Sequence, residues 1–148
     1  MAFRTHLEEL LLGKLNPGNI DQWVRFQGIE HVEQALMANK GVIWLYPHAG
    51  PVMLMIAGLA HRGIPYTQYA ARGQALEALA KEHPDLLAHN PWREAVRRTR
   101  ENDEDRLPVE YLTLDAPVRT LHRHLAQNRV VGIAFDGRIG NGWFPTPF

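Results

Sequence analysis

Gly41-Val42-Ile43-Trp44-Leu45-Tyr46, then Pro47-His48-Ala49-Gly50, then Pro51 and the apolar run from Val52 to His61 make up the stretch that decides the fold. The opening residues are apolar, β-branched or aromatic without alternation, the pattern of a strand covered on both faces of a sheet. Pro47 to Gly50 break the run. Pro51 stands where a helix favours its first residue, and Gly63 with Pro65 close the helix that follows. The unit is strand, tight turn, helix.

Working outward, the same alternation continues. Apolar Phe3, Leu7, Leu10 and Leu11 recur at helical spacing and predict an amphipathic helix ended by Gly13 and the turn Asn16-Pro17-Gly18-Asn19. Trp23 to Phe26 read as extended, and Ile29 to Ala38 as a second helix. Beyond the central unit, Pro65 to Ala70 predict a strand, Gln74 to Glu82 a helix, Pro91 to Glu101 an arginine-rich helix, and Leu107 to Leu112 a strand. Pro117 to Gln127 then predict a helix with Val118, Leu121 and Leu125 on one stripe, and Arg129 to Phe135 a second buried strand. Strands alternating with helices argue for an α/β sheet. After Asp136 come Gly137, Gly140 and Asn141-Gly142, then Trp143-Phe144-Pro145-Thr146-Pro147-Phe148, which reads as a domain cut short after a core strand.

Size and composition bound the function. With 148 residues, 45% hydrophobic and 22% charged, the chain is one globular domain or part of one. Sixteen basic and 16 acidic side chains balance to a net charge of zero, so there is no electrostatic footprint for nucleic acid. The absence of cysteine excludes disulfides, thiolate metal sites and cysteine nucleophiles. Acids near the N-terminus do not fit a secretion signal. The most apolar run, Pro51 to Ala60, is about ten residues against the roughly 20 that a spanning helix needs, so no transmembrane segment is expected.

His48 is the sharpest candidate for chemistry. It follows a buried strand and precedes a helix N-terminus, the place where ligands bind in open α/β sheets. A neutral imidazole there can take a proton from a hydroxyl, while N–H groups of the following turn, Gly50 among them, can stabilise a developing oxyanion. Its bland alternative is a turn cap. Asp136 follows a strand in a glycine-rich loop, where a site carboxylate and a plain turn aspartate weigh about equally. His122 and His124 form an H-x-H pair, but residues two apart on a helix face different ways, so no metal is expected. His61, His83 and His89 read as surface or turn residues. Arg93, Arg97, Arg98 and Arg100 stand near Glu94, Glu101, Asp103, Glu104 and Asp105, mostly a solvated charged face. That cluster can alternatively meet acidic headgroups or an acidic carrier protein.

The run Phe26-Gln27-Gly28-Ile29-Glu30-His31-Val32-Glu33-Gln34-Ala35-Leu36 followed by Gly41 to Gly50 resembles the start of the acyltransferase domain in lipid A biosynthesis lauroyl/myristoyl acyltransferases, members of the lysophospholipid acyltransferase superfamily. In that family a helix precedes a strand that ends in the catalytic histidine of an H-x4-D/E motif. Arg129 to Gly140 is similar to the family's later strand and its Asp-containing, glycine-rich loop, so the resemblance runs from about Phe26 to the end. It implies a glycerol-phosphate-acyltransferase-like α/β fold, a mixed sheet flanked by helices and truncated at the C-terminus. One partial domain over residues 1–148 is expected, with an N-terminal helix and turn over 1–25 and an α/β core over 26–148.

The implied reaction is transfer of a fatty acyl group from a thioester on acyl carrier protein or coenzyme A to a hydroxyl of a lipid or glycolipid. His48 would be the general base, with no acyl-enzyme and no cofactor. Gly50, Gly137 and Arg72 would contact substrate, Arg72 loosely matching a basic substrate-binding residue of the family. The implied place is the cytoplasmic face of the bacterial inner membrane, peripherally bound. The helix from Pro51, with Met53, Leu54, Met55, Ile56 and Leu59, can line an acyl groove, although core packing weighs more. Two departures matter: the family's further strands and its N-terminal membrane-associated helix are not visible in the sequence, and five residues on from His48 stands Met53, not Asp or Glu. Asp136 is the first substitute for the missing acid and Glu30 the second; otherwise His48 works unassisted or the site is impaired. The competing function is a non-catalytic acyl-lipid or carrier-binding module with a broken dyad. A hydrolase or nucleotide-binding reading ranks last, since neither a nucleophile elbow nor a phosphate-cradling glycine loop is present.

Overall fold

A computed structural model of the chain describes residues 11–70 and 91–136. A 3-10 turn, Leu12–Lys14, leads to a short helix α1, Ile20–Trp23, and then to α2, Ile29–Met37. The core follows as β1, Val42–Tyr46; α3, Val52–His61; β2, Tyr66–Ala70; α4, Pro91–Asp105; β3, Val109–Thr113; α5, Val118–Ala126; and β4, Val130–Ala134. The four described strands are all parallel, in the order β1-β4-β2-β3. This is an α/β fold with a sheet flanked by helices. The predicted strands and core helices match within about two residues at most ends, as frayed termini allow; α4 runs on to Asp105, and α1 precedes the segment expected to be extended, overlapping it only at Trp23, while Val24 is extended. The expected helices near Phe3 and over Gln74 to Glu82 lie outside the described residues.

Three helices close on a left-handed residue just before a strand begins: Asn39 at φ 56° after α2, Gly63 at φ 80° after α3, and Asn128 at φ 58° after α5. That conformation satisfies the last helical carbonyls and turns the chain sharply. Asn128 adds a tie across the fold, its side chain accepting from the Gly41 N–H at 3.1 Å and donating to the Leu36 carbonyl at 3.0 Å. The start of β1 is thereby fixed beside the start of β4. Gly41 is required here because a Cβ would fall 2.5 Å from the Leu125 carbonyl oxygen.

One face of the sheet packs under α3. Ile56, Ala57 and Leu59 of the helix meet Tyr66 and Val130, all of them at most 1% exposed. Leu12, Leu15 and Ile20 join the same cluster, so the segment ahead of residue 26 is part of the core. The opposite face is partly covered by α5, whose His124 meets Thr67. The expectation that β1 is covered on both faces is corrected: β1 is an edge strand among the described residues, and its Ile43 and Leu45 are 52% and 61% exposed. An unalternating apolar run reports what a strand can bury, and here the described chain supplies cover for one face only.

Candidate active site

The parallel register builds the site. Val42 pairs with Val130 and Tyr46 with Ala134, a constant offset, and two residues further along both chains the same offset of 88 sets His48 beside Asp136. His48 Nδ1 lies 2.8 Å from Asp136 Oδ1, and the His48 backbone N–H donates to both carboxylate oxygens at 2.9 and 2.8 Å. Desolvation pushes the Asp136 carboxyl upward, but the hydrogen bonds from His48 outweigh it and hold the group below its ordinary value. An ionised carboxylate only accepts, so Nδ1 is the donor, and in the neutral imidazole this leaves Nε2 with its lone pair. The His48 side chain is 60% exposed, which leaves Nε2 reachable from solution.

Behind the imidazole stands Tyr46, the last residue of β1, 5% exposed, its ring edge-on to His48 with centroids 6.5 Å apart. Burial pushes its phenol up, a hydrogen bond with the Gln68 side chain pulls down, and the Asp136 charge pushes up again; the net shift is upward. Gln68 is locked from both ends, accepting from Tyr66 Oη at 3.1 Å and donating to the Tyr69 carbonyl at 3.0 Å. Tyr66 fits only because residue 132 is glycine.

His48 opens into a cavity of about 280 Å³ whose other walls are Met53 and Ile56 of α3, Gln68 and Ala70 of β2, Tyr111 of β3, and Arg100 with Glu104 of α4. Arg100 Nε donates to Glu104 Oε1 at 2.6 Å, and Glu104 is only 8% exposed, an exception to the solvated face expected of this helix. A second cavity of about 410 Å³ lies on the other side of the turn, walled by Trp23, Phe26, Pro47, Pro51, Leu54 and Met55 among others. Gly50, at φ 71° with open space where a Cβ would stand, borders the first cavity.

Of the two substitutes for the missing acid, the structure brings Asp136 to His48, while Glu30 sits exposed in the first turn of α2. Met53 is 8% exposed and belongs to the core cluster while also lining the His48 cavity. Arg72 and Gly137 lie outside the described residues, as do His83 and His89. His61 departs from the surface reading, since its Nε2 is buried with no hydrogen-bond partner among the described residues and burial lowers its pKa. His122 is exposed and His124 buried, and among the described residues no group of three metal-ligating side chains occurs. Gln68 and Tyr111 were not singled out from the sequence, and Glu104 was read only as part of a solvated charged face. The legible signal was a polar side chain at the inward position of an otherwise buried strand, Gln68 above all.

No helix among the described residues is long and apolar enough to cross a membrane. The curated proteins contain no significant match to the chain. A family model described as bacterial lipid A biosynthesis acyltransferase matches residues 3–144. That match spans nearly the whole chain and takes in both the strand ending at His48 and the strand ending at Asp136; the chain belongs to the bacterial lipid A biosynthesis acyltransferase family.

Proposed function

We propose that the protein moves a fatty acyl group from a thioester, on acyl carrier protein or coenzyme A, to a hydroxyl of a lipid or glycolipid, with His48 as general base and Asp136 as the acid that orients it. The observation that carries the reading is the His48–Asp136 contact, 2.8 Å through Nδ1. It fixes the tautomer that leaves Nε2 as the acceptor of a hydroxyl proton. The activated oxygen attacks the thioester carbonyl, the tetrahedral oxyanion collapses, and the thiolate leaves with the proton returned by the imidazolium. Asp136 stabilises that transient cation in the way a triad acid does. Backbone N–H groups of the turn at Gly50, just ahead of α3, are suited to the oxyanion, since helix N-termini favour negative charge. Work at the cytoplasmic face of the inner membrane, bound peripherally, accords with an acyl-lipid acceptor.

The experiment is acyl transfer from an acyl thioester to a lipid A precursor, followed as thiol release. His48→Ala is expected to lower turnover by on the order of 10²- to 10⁴-fold. Asp136→Asn is expected to fall in the same range, and the double variant to be little worse than either, because the two act as one unit. Wild-type turnover in His48→Ala would refute the assignment, and acyl binding without any thiol release by the wild type would make the protein a binding module.

A further inference from the structure

Three polar side chains are buried together beside the His48 turn: Tyr46 at the end of β1, and Tyr66 and Gln68 on β2. Tyr66 Oη donates to Gln68 Oε1 at 3.1 Å, Gln68 Nε2 donates to the Tyr69 carbonyl at 3.0 Å, and the Tyr46 hydroxyl bonds the same Gln68 side chain. The Tyr46 ring in turn stands edge-on to His48 at an interplanar angle of 71°. Gln68 is in register with Gly132 of β4, and the missing side chain there makes the room for the network. A Cβ at that position would collide with the Tyr66 hydroxyl and stand 3.1 Å from Gln68 Oε1.

Stability alone does not call for this arrangement. Phe, Phe and Leu in the same places would bury the same shapes without desolvating two hydroxyls and an amide, and exchanging both partners of a buried hydrogen bond for apolar groups is close to neutral. A glycine inside a strand also weakens it. What a fully bonded polar network does supply is rigidity and one defined arrangement. His48 needs that: its side chain is 60% exposed, and its ring is held at one atom, Nδ1, by Asp136. A ring held at one atom can pivot about it, and Nε2, on the far side, then moves furthest. Proton transfer at Nε2 depends on placement to a fraction of an ångström. The Tyr46 ring is the surface that His48 packs on, and Gln68 is what fixes that ring.

We infer that Tyr46 and Gln68 are positioning residues: the Tyr46 ring backs the His48 imidazole, and the bonds of Gln68 with Tyr46 and Tyr66 lock that ring, so that Asp136 and Tyr46 together aim Nε2. The inference rests on the acyl-transfer reading for the reaction that the aiming serves, while the aiming itself is a property of the protein without substrate. Gln68 borders the His48 cavity, but its amide is engaged within the protein at both its oxygen and its nitrogen, so it acts through Tyr46 and not on a guest.

The test measures stability, turnover and the state of the imidazole on the full chain. The triple variant Tyr46→Phe/Tyr66→Phe/Gln68→Leu keeps both rings and removes every polar atom of the network. It is expected to match or exceed the wild-type urea midpoint while kcat for acyl transfer falls by on the order of 10-fold at little-changed KM. A network that serves only the fold gives the reverse, a lower midpoint with kcat unchanged. Tyr46→Phe and Gln68→Leu are expected to lower kcat by similar factors, and their combination by no more than either, because both cut one bond. Tyr46→Phe, the mildest change, decides the matter if the triple variant does not fold. A second readout needs no substrate: the imidazole nitrogen NMR signals of His48, identified by their loss in His48→Ala. In the neutral ring they are expected to report the Nδ1–H tautomer for the wild type and a mixture of tautomers for the triple variant. If the wild type transfers no acyl group, the acyl-transfer reading falls and these signals alone decide the positioning. Unchanged kcat in the folded variant, or unchanged signals where there is no turnover, would overturn the proposal.

Discussion

Met53 occupies the place where the family pattern H-x4-D/E puts a carboxylate, and in this chain a different carboxylate meets the imidazole. His48 Nδ1 is already taken by Asp136, whose carboxylate also receives the His48 backbone N–H. Met53 instead belongs to the core cluster and borders the His48 cavity, at 8% exposure. Met53→Glu is therefore expected to cost stability, by roughly 2 kcal/mol, because it puts a charge at a nearly buried position close to the acids Glu104 and Asp136. Urea unfolding checks this, together with acyl transfer that stays flat or falls. A gain in rate would show that Nδ1 can exchange Asp136 for a second acid. Asp136 was the first choice of partner from the sequence because it ends a strand in a glycine-rich loop; its distance to His48 could not be read, since 88 positions separate the two.

At the scale of elements, the site depends on β4 entering the sheet between β1 and β2. The middle of that strand has to be narrow. A Cβ on Gly132 would lie 1.7 Å from Tyr66 Oη and 2.5 Å from the ring carbon that bears it, and Tyr66 is fully buried. Gly132→Ala is expected to destabilise the protein by about 1–3 kcal/mol through overpacking, seen as a lower urea midpoint at unchanged slope. Adding Tyr66→Phe is expected to relieve part of that cost, so the two changes should be non-additive; strict additivity would mean that the hydroxyl is not the obstacle. The sequence showed a buried strand here, without giving a reason for Gly132 within it. Its reason lies on the neighbouring strand, in a contact that periodicity does not encode. The same limit explains β1: its apolar run identified a strand, while whether both faces are covered depends on which elements land beside it.

For the whole molecule, the His48–Asp136 bonds tie the ends of β1 and β4 and give stability a pH dependence of known sign. The fold holds the Asp136 carboxyl below its ordinary value, so its contribution is whole above about pH 4, where the unfolded group is also ionised, and fades as pH falls through the depressed folded value. The difference in urea midpoint between wild type and Asp136→Asn is expected to shrink as pH falls below about 4. A difference undiminished in strong acid would mean that the ionised form is not what the fold selects. The sequence by itself determined the alternation of strands and helices, the placing of His48 after the first strand and of Asp136 after the last, and the likeness to an acyltransferase family that the match over residues 3–144 shows. These are local properties, written in runs of apolar side chains and in the glycines, prolines and asparagines that end them. Only the tertiary structure decided strand order, and with it the pairing of His48 with Asp136, the burial of Met53 and Glu104, and the two cavities that meet at Tyr46. The physical reason is that register and neighbour choice are set by packing between segments far apart in the chain, where the free energy belongs to the assembled core and not to any one stretch of it.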